Sequence, residues 1–188
     1  MFKFFISLCL NLLIYSASIA NTEAPDPELR RLLSEAIEST DSFDDRFAAE
    51  VWLVDMSSRL ESTIEDEKHR LDILKQVHRE ATRVELAPEL VLALIEIESH
   101  FDHFAISKSG AQGLMQVMPF WLEEIGHSDD NLIDITTNLR MGCTILKYYM
   151  DMEKHDLKKA LARYNGSTGQ RVYSDKVLDV LRERWHRR

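Results

Sequence analysis

Residues 88–119 read PELVLALIEIESHFDHFAISKSGAQGLMQVMP, and no other stretch limits what this chain can fold into as tightly. On a 3.6-residue period, Leu90, Val91, Leu94, Ile95, Ile97 and Phe101 form one apolar stripe, and Glu98 falls near its centre while Glu96 points the other way. The pattern predicts an amphipathic helix that ends in a carboxyl among apolar neighbours, with Pro88 suited to its first turn. A carboxyl so placed loses hydration of its charged form, so its pKa rises and it can stay protonated near neutral pH, as a general acid must. A glutamate in the last turn of a helix also commonly just reaches solvent, and the helix pattern alone leaves both roles open. Residues 100–109 form a loop too aromatic to be only a spacer. Gly110 and Gly113 then bracket a tight turn into the apolar run Leu114-Met115-Gln116-Val117-Met118.

Helical periodicity recurs on both sides of this stretch. Before it, three helices are expected: one from Glu28 with Leu29, Leu32, Leu33, Ala36 and Ile37 inward; one over about 44–64 on Phe47, Val51, Val54 and Leu60; and one over about 65–86 on Leu71, Leu74, Val77 and Ala81. After it come a short helix from Pro119 to Gly126, a polar loop over 127–134, and a long helix over about 136–154 on Leu139, Cys143, Leu146 and Met150. A shorter helix over 156–163 leads into the turn Tyr164-Asn165-Gly166-Ser167, and a last helix from Arg171 places Val172, Val177, Leu178 and Leu181 inward. No segment alternates with period 2 over useful length, so the fold class is all-α.

The termini and the charge narrow the function further. Residues 1–20 have one early lysine, an apolar run and the small-x-small ending Ser18-Ile19-Ala20, the pattern of a secretory signal cleaved before Asn21. The run is short for a spanning helix and carries Ser7 and Asn11, so no membrane span is expected in the mature chain. Cys9 would leave with the signal, and Cys143 alone cannot make an internal disulfide. The net charge of −9 is concentrated in residues 21–86, which hold 9 basic and 17 acidic side chains against 13 and 15 in 87–188. Such a balance excludes a nucleic-acid partner, whose phosphates need a basic footprint, and suits residues 87–188 to a largely uncharged ligand such as a glycan. The basic tail, with Arg182, Arg184, Arg187 and Arg188 around Trp185, reads as a solvated helix end favoured by the helix dipole. His69 and His78 have no Cys or His at ligand spacing beside them, so neither metal nor cofactor is expected.

Four ordered segments carry a resemblance: Glu98-Ser99 at the end of an apolar helix, Gly110-Ala111-Gln112-Gly113-Leu114-Met115-Gln116-Val117-Met118-Pro119, Asn138-Leu139-Arg140-Met141-Gly142, and Ala160-Leu161-Ala162-Arg163-Tyr164-Asn165. Together they are similar to the catalytic domain of the soluble lytic transglycosylases, lysozyme-like enzymes that cleave peptidoglycan strands. The resemblance spans about 86–181. The chain departs from it at Asp102-His103, where the family usually has Asn-Pro, and at Gly166-Ser167, where it usually has Ala-Gly.

The resemblance implies a lysozyme-like helical domain of the goose-type lysozyme and SLT kind over 87–188, preceded by an acidic helical extension over 21–86. The implied reaction breaks the MurNAc-(β1,4)-GlcNAc bond in peptidoglycan glycan strands and leaves 1,6-anhydro-MurNAc ends, with Glu98 acting first as acid and then as base. Tyr164 would stand beside Glu98 as a second catalytic residue, helping to stabilise charge in the transition state, and Ser107, Gln116, Met118 and Asn165 would line the sugar subsites. Asp102, four residues past Glu98, is not expected to be essential. A goose-type lysozyme-like hydrolase of the same bond and an inactive peptidoglycan-binding or scaffold module are the competing readings. A protein partner for the acidic helices and a periplasmic or secreted location complete the expectation.

Overall fold

The computed structural model describes residues 46–125 and 130–186. Its helices run Arg46–Leu60 (α1), Glu67–Arg83 (α2), Pro88–Glu98 (α3), Phe120–Ile125 (α4), Ile135–Met152 (α5), Leu157–Tyr164 (α6) and Val172–Val180 (α7), followed by a π-helical turn at Leu181–Trp185. Among the described residues there is no strand, only isolated bridges from Gln112 to Ile106 and Val117, and the all-α expectation is met. The secretory signal at 1–20, the helix expected from Glu28, Gly126 and Arg187 with Arg188 lie outside the described residues. No helix among those described is long and apolar enough to cross a membrane.

Every residue from Leu90 to Ile95 is buried, so α3 has no polar face along this stretch and can only sit in the centre of the molecule. Helix α2 packs on one side of it, and α7 with the π-helical turn on the other; α1 lies on α2, and α5 bridges α2 and α6. Aspartates start three of these helices: Asp66, Asp134 and Asp156 accept the backbone N–H groups of His69, Thr137 and Lys159, meeting donors that the first turn leaves unpaired. One continuous core results, in which Leu53 and Met56 of α1 and Leu71 and Leu74 of α2 join Leu92 and Ile95 of α3 and Leu146 of α5.

Two expectations about packing are corrected. In α1 the buried face is Ala49, Trp52, Leu53, Met56 and Leu60, spaced by three and four residues, whereas Phe47, Val51 and Val54 lie on the opposite, exposed side. The apolar residues of α1 cover more than one face, and the indole of Trp52 decides which turns inward: it donates to Glu89 of α3 at 2.9 Å and meets His78 edge-on. In α7, Val172 is 68% exposed and Tyr173 turns inward in its place, on the face that Val177 buries.

Within the basic tail, Arg182 is solvated as expected, but Trp185 and Arg184 are not. Trp185 is fully buried against Phe101, and its indole N–H donates to Glu96 Oε2 at 2.7 Å. Arg184 pairs with the other oxygen of Glu96 at 2.7 Å and donates to the Arg59 carbonyl, while Arg59 donates back to the Arg184 carbonyl. Glu96 therefore ties the C-terminal turn to α3, and the two arginines tie that turn to the end of α1. Truncating a tryptophan at such a position costs about 3–5 kcal/mol.

Because α1 and α2 share the core with α3, a fragment of residues 87–188 should expose to water the face of α3 that packs on α2. The expected outcome is a fragment that sediments as aggregates or binds a hydrophobic dye strongly, against a full chain that does neither. A soluble fragment as stable as the full chain would contradict the shared core.

Candidate active site

Glu98 closes α3, half-buried, because the helix that carries it is packed on all sides up to Ile95. Past it the chain reverses through His100 and Phe101, both at positive φ, with Phe101 anchored in the core on Trp185. Ser99 fixes this exit: its hydroxyl donates to the Leu114 carbonyl at 2.8 Å, which draws the glycine-flanked turn against the end of α3.

The same turn is held from two other directions. Asn138 of α5, almost fully buried, accepts the Met115 N–H and donates to the carbonyls of Gln112 and Leu132, each at 2.8 Å. Tyr164, the last residue of α6, donates its hydroxyl to the Met115 carbonyl at 2.8 Å. Two glycines make the closeness attainable. A Cβ on Gly113 would stand 2.3 Å from the Asn138 amide, at a φ of +73° that side chains rarely adopt, and one on Gly142 would stand 2.8 Å from Met115 Cβ. The segments singled out in the sequence are thus one mechanical unit around the Leu114-Met115 peptide.

One group reaches Glu98 that the sequence reading did not name. The Tyr173 hydroxyl, from the first turn of α7, donates to Glu98 Oε1. The carboxyl is held above the usual glutamate value of 4.5, chiefly because burial strips hydration from its ionised form, while the Tyr173 hydrogen bond pulls the other way. Burial, and then the charge of Glu98, push the hydroxyls of Tyr173 and Tyr164 far above the ordinary tyrosine range, so both are neutral donors at any working pH. The signal for Tyr173 was its spacing: Tyr173, Val177 and Leu181 recur every four residues on one face.

The other expected site residues are placed as follows. Gln116 sits at positive φ and donates its amide to the carbonyls of Ala105 and Gly113, so that amide closes the loop. Ser107 organises the tip of the same loop, accepting the Ala111 N–H at 3.0 Å. Met118 is half-buried just before α4, and Asn165 is exposed at the C-terminal cap of α6. Asp102 is exposed and accepts the Phe104 N–H at 2.9 Å in a local turn. Among the described residues no group of three or more His, Cys, Asp or Glu side chains is arranged to hold a metal ion.

A half-buried protonatable carboxyl that accepts from one neutral tyrosine hydroxyl has the equipment of a general acid-base catalyst. The family model of the transglycosylase SLT domain matches residues 75–176, more than half of the chain, and the chain belongs to that family. A curated relative, the transglycosylase of Enterobacteria phage PRD1, is 34% identical over 92 residues, which make up 49% of this chain and 34% of the phage protein. The match therefore spans about a third of that relative's length. Among solved structures, an inactive mutant of the lytic transglycosylase Slt from Pseudomonas aeruginosa aligns with 81% of this chain and 33% of its own, at 19% identity and a TM-score of 0.47.

Because the folded pKa of Glu98 is raised, its effect on stability has a definite sign. Below about 4.5 the carboxyl is protonated in both states and carries no penalty; as pH rises from there through the folded pKa, the unfolded state ionises more readily and stability falls. Glu98→Gln removes that penalty. Thermal unfolding across pH should therefore show the variant gaining on the parent above pH 4.5 and then levelling off; a gap that is constant with pH, or that closes, would contradict the raised pKa.

Proposed function

We propose that this chain is a peptidoglycan lytic transglycosylase in which Glu98 alone serves as acid and then as base. The observation that carries the reading is the environment of Glu98: a carboxyl whose burial favours its protonated form and which accepts a hydrogen bond from a neutral tyrosine. Ordinary glycosidases need two carboxyls, one of which supplies or activates the nucleophile. A single carboxyl suffices when the nucleophile belongs to the substrate.

In this reading protonated Glu98 donates to the oxygen of the MurNAc-(β1,4)-GlcNAc bond, and the C1–O bond breaks as GlcNAc leaves. The glutamate, now ionised, takes the proton from the C6 hydroxyl of the same MurNAc, whose oxygen bonds to C1 and closes the 1,6-anhydro ring. Tethering gives that hydroxyl an effective molarity of about 10⁵ M or more, so no activated water is required. The Tyr173 hydroxyl steadies the carboxylate between the two transfers. Tyr164 acts one step further back, fixing the Met115 carbonyl and with it the wall of the site. Ser107, Gln116, Met118 and Asn165 line the sugar subsites, Gln116 through the loop its amide closes. Export by residues 1–20 would deliver the enzyme to the periplasm or the exterior, where its substrate lies.

The decisive experiment is product analysis of a peptidoglycan digest by mass spectrometry. The parent chain should release 1,6-anhydro-muropeptides without added metal or nucleotide. Folded Glu98→Gln should release them several orders of magnitude more slowly, because each proton-transfer role contributes about 10² to 10⁴. Asp102→Asn should stay within about tenfold of the parent. Reducing ends in place of anhydro ends would indicate a water-using hydrolase, and no soluble product at all would indicate a binding module.

Tyr173→Phe removes the one interaction that lowers the Glu98 pKa, so the high-pH limb of the activity profile should move to higher pH while peak turnover falls. A limb that stays in place or moves down would show that this limb does not report Glu98.

A further inference from the structure

His69 stands in the first turn of α2, where the sequence puts no Cys or His at ligand spacing beside it. The fold supplies one from elsewhere. His103, in the loop after α3, brings its imidazole to 5.3 Å from that of His69, centroid to centroid, with the two planes at 59°. Both residues are half-buried, within reach of solvent. Among the described residues neither ring takes part in a hydrogen bond; His69 donates only its backbone N–H, to Asp66. His103 also lies on Phe104, with centroids 3.8 Å apart. That contact occupies a face of the ring, whereas a ligand bond uses a nitrogen at its edge, so the two can hold together.

Two imidazoles at this separation match a single shared ion. Zinc–nitrogen bonds run about 2.0–2.1 Å, and adding the roughly 1.2 Å from each nitrogen to its ring centre sets two rings on one tetrahedral ion about 5.3 Å apart. Imidazole suits zinc, copper and nickel alike. The surrounding charge favours a cation as well. Glu65, Asp66 and Glu67 precede His69 and Asp102 precedes His103, against Lys68 and Arg70, and the Arg70 guanidinium is committed to Ser57 and to the carbonyls of Ile64 and Glu65. His103 also falls where the chain departs from the transglycosylase pattern, so the pair belongs to this chain and not to the shared catalytic equipment. We propose that His69 and His103 form a binding site for a divalent transition-metal ion of the zinc class, which clips the loop over 100–109 to the start of α2. Two protein donors leave the other positions to water, which makes the site open and exchangeable where a structural zinc site is closed. The loop so held contains Ser107 and the Ala105 carbonyl to which Gln116 donates. The ion takes no part in the proton transfers assigned to Glu98, so the site stands or falls independently of that reading.

The test titrates the metal-free full chain with Zn²⁺ alone, by calorimetry for stoichiometry and by imidazole-nitrogen NMR for the ligands. One ion per chain should bind and shift the ring nitrogens of His69 and His103 together. Thermal unfolding should move up, because the ion binds the folded chain in preference to the unfolded one. His69→Gln and His103→Asn should each abolish that thermal shift and weaken binding at least about tenfold, since losing even a group behind a ligand costs about 10- to 100-fold. His155→Asn, at an exposed histidine outside the pair, should bind like the parent. Mg²⁺, which prefers oxygen ligands, should not compete. The NMR shifts of the parent decide the matter even if a variant fails to fold. A parent that binds no Zn²⁺, shifts confined to other histidines, or unchanged affinity in both variants would overturn the site. Release of anhydro ends by the metal-free chain tests the catalytic reading separately.

Discussion

The Leu114-Met115 peptide is the fixed point on which the rest of the molecule depends. Ser99 takes the Leu114 carbonyl, Asn138 the Met115 N–H and Tyr164 the Met115 carbonyl, so α3, α5 and α6 each place one side chain on a single stretch of backbone. Buried backbone groups must find partners, and each one left unpaired costs about 1–3 kcal/mol. A turn with no regular secondary structure is thereby tied to three helices at once. Glu98 is the residue before Ser99, so the same lock that holds the turn sets where its carboxyl stands.

Helix α3 also solves the problem of a buried carboxyl in two opposite ways within one turn. Glu96 receives the Arg184 guanidinium on one oxygen and the Trp185 indole N–H on the other, a pairing that joins the chain's C-terminal turn to the core. Glu98 receives only a neutral hydroxyl, and burial dominates. The two glutamates differ in the identity of their donors: a guanidinium and an indole N–H on Glu96, a tyrosine hydroxyl on Glu98.

Much of this was legible in the sequence, and the misses have physical causes. The apolar stripe of α3 announced a carboxyl in an unfavourable place, and Gly113 a tight turn. Periodicity makes that stripe one face of an amphipathic helix, whereas Leu90 to Ile95 are buried on every side, and the close approaches at Gly113 and Gly142 came only from the structure. What periodicity could not rank was which of several apolar faces wins: in α1 the Trp52 side was buried and the Phe47 side was not, a choice made by contacts with Glu89 and His78 on other helices. The basic C-terminus misled for the same reason, since its partner Glu96 lies 88 residues away in the chain. Tyr173 escaped because nothing local distinguishes a tyrosine that reaches a distant carboxyl from one that merely packs.

The account turns on whether the Glu98 carboxyl in the folded chain keeps its proton above the ordinary glutamate range. A carboxyl-carbon NMR titration of the labelled full chain, with the Glu98 signal assigned by its loss in Glu98→Gln, reads that directly. The account predicts a midpoint above 4.5, raised by burial against the pull of Tyr173. A midpoint at or below 4.5 would contradict it, since a carboxyl that ionises as readily in the fold as in water has no proton left to give.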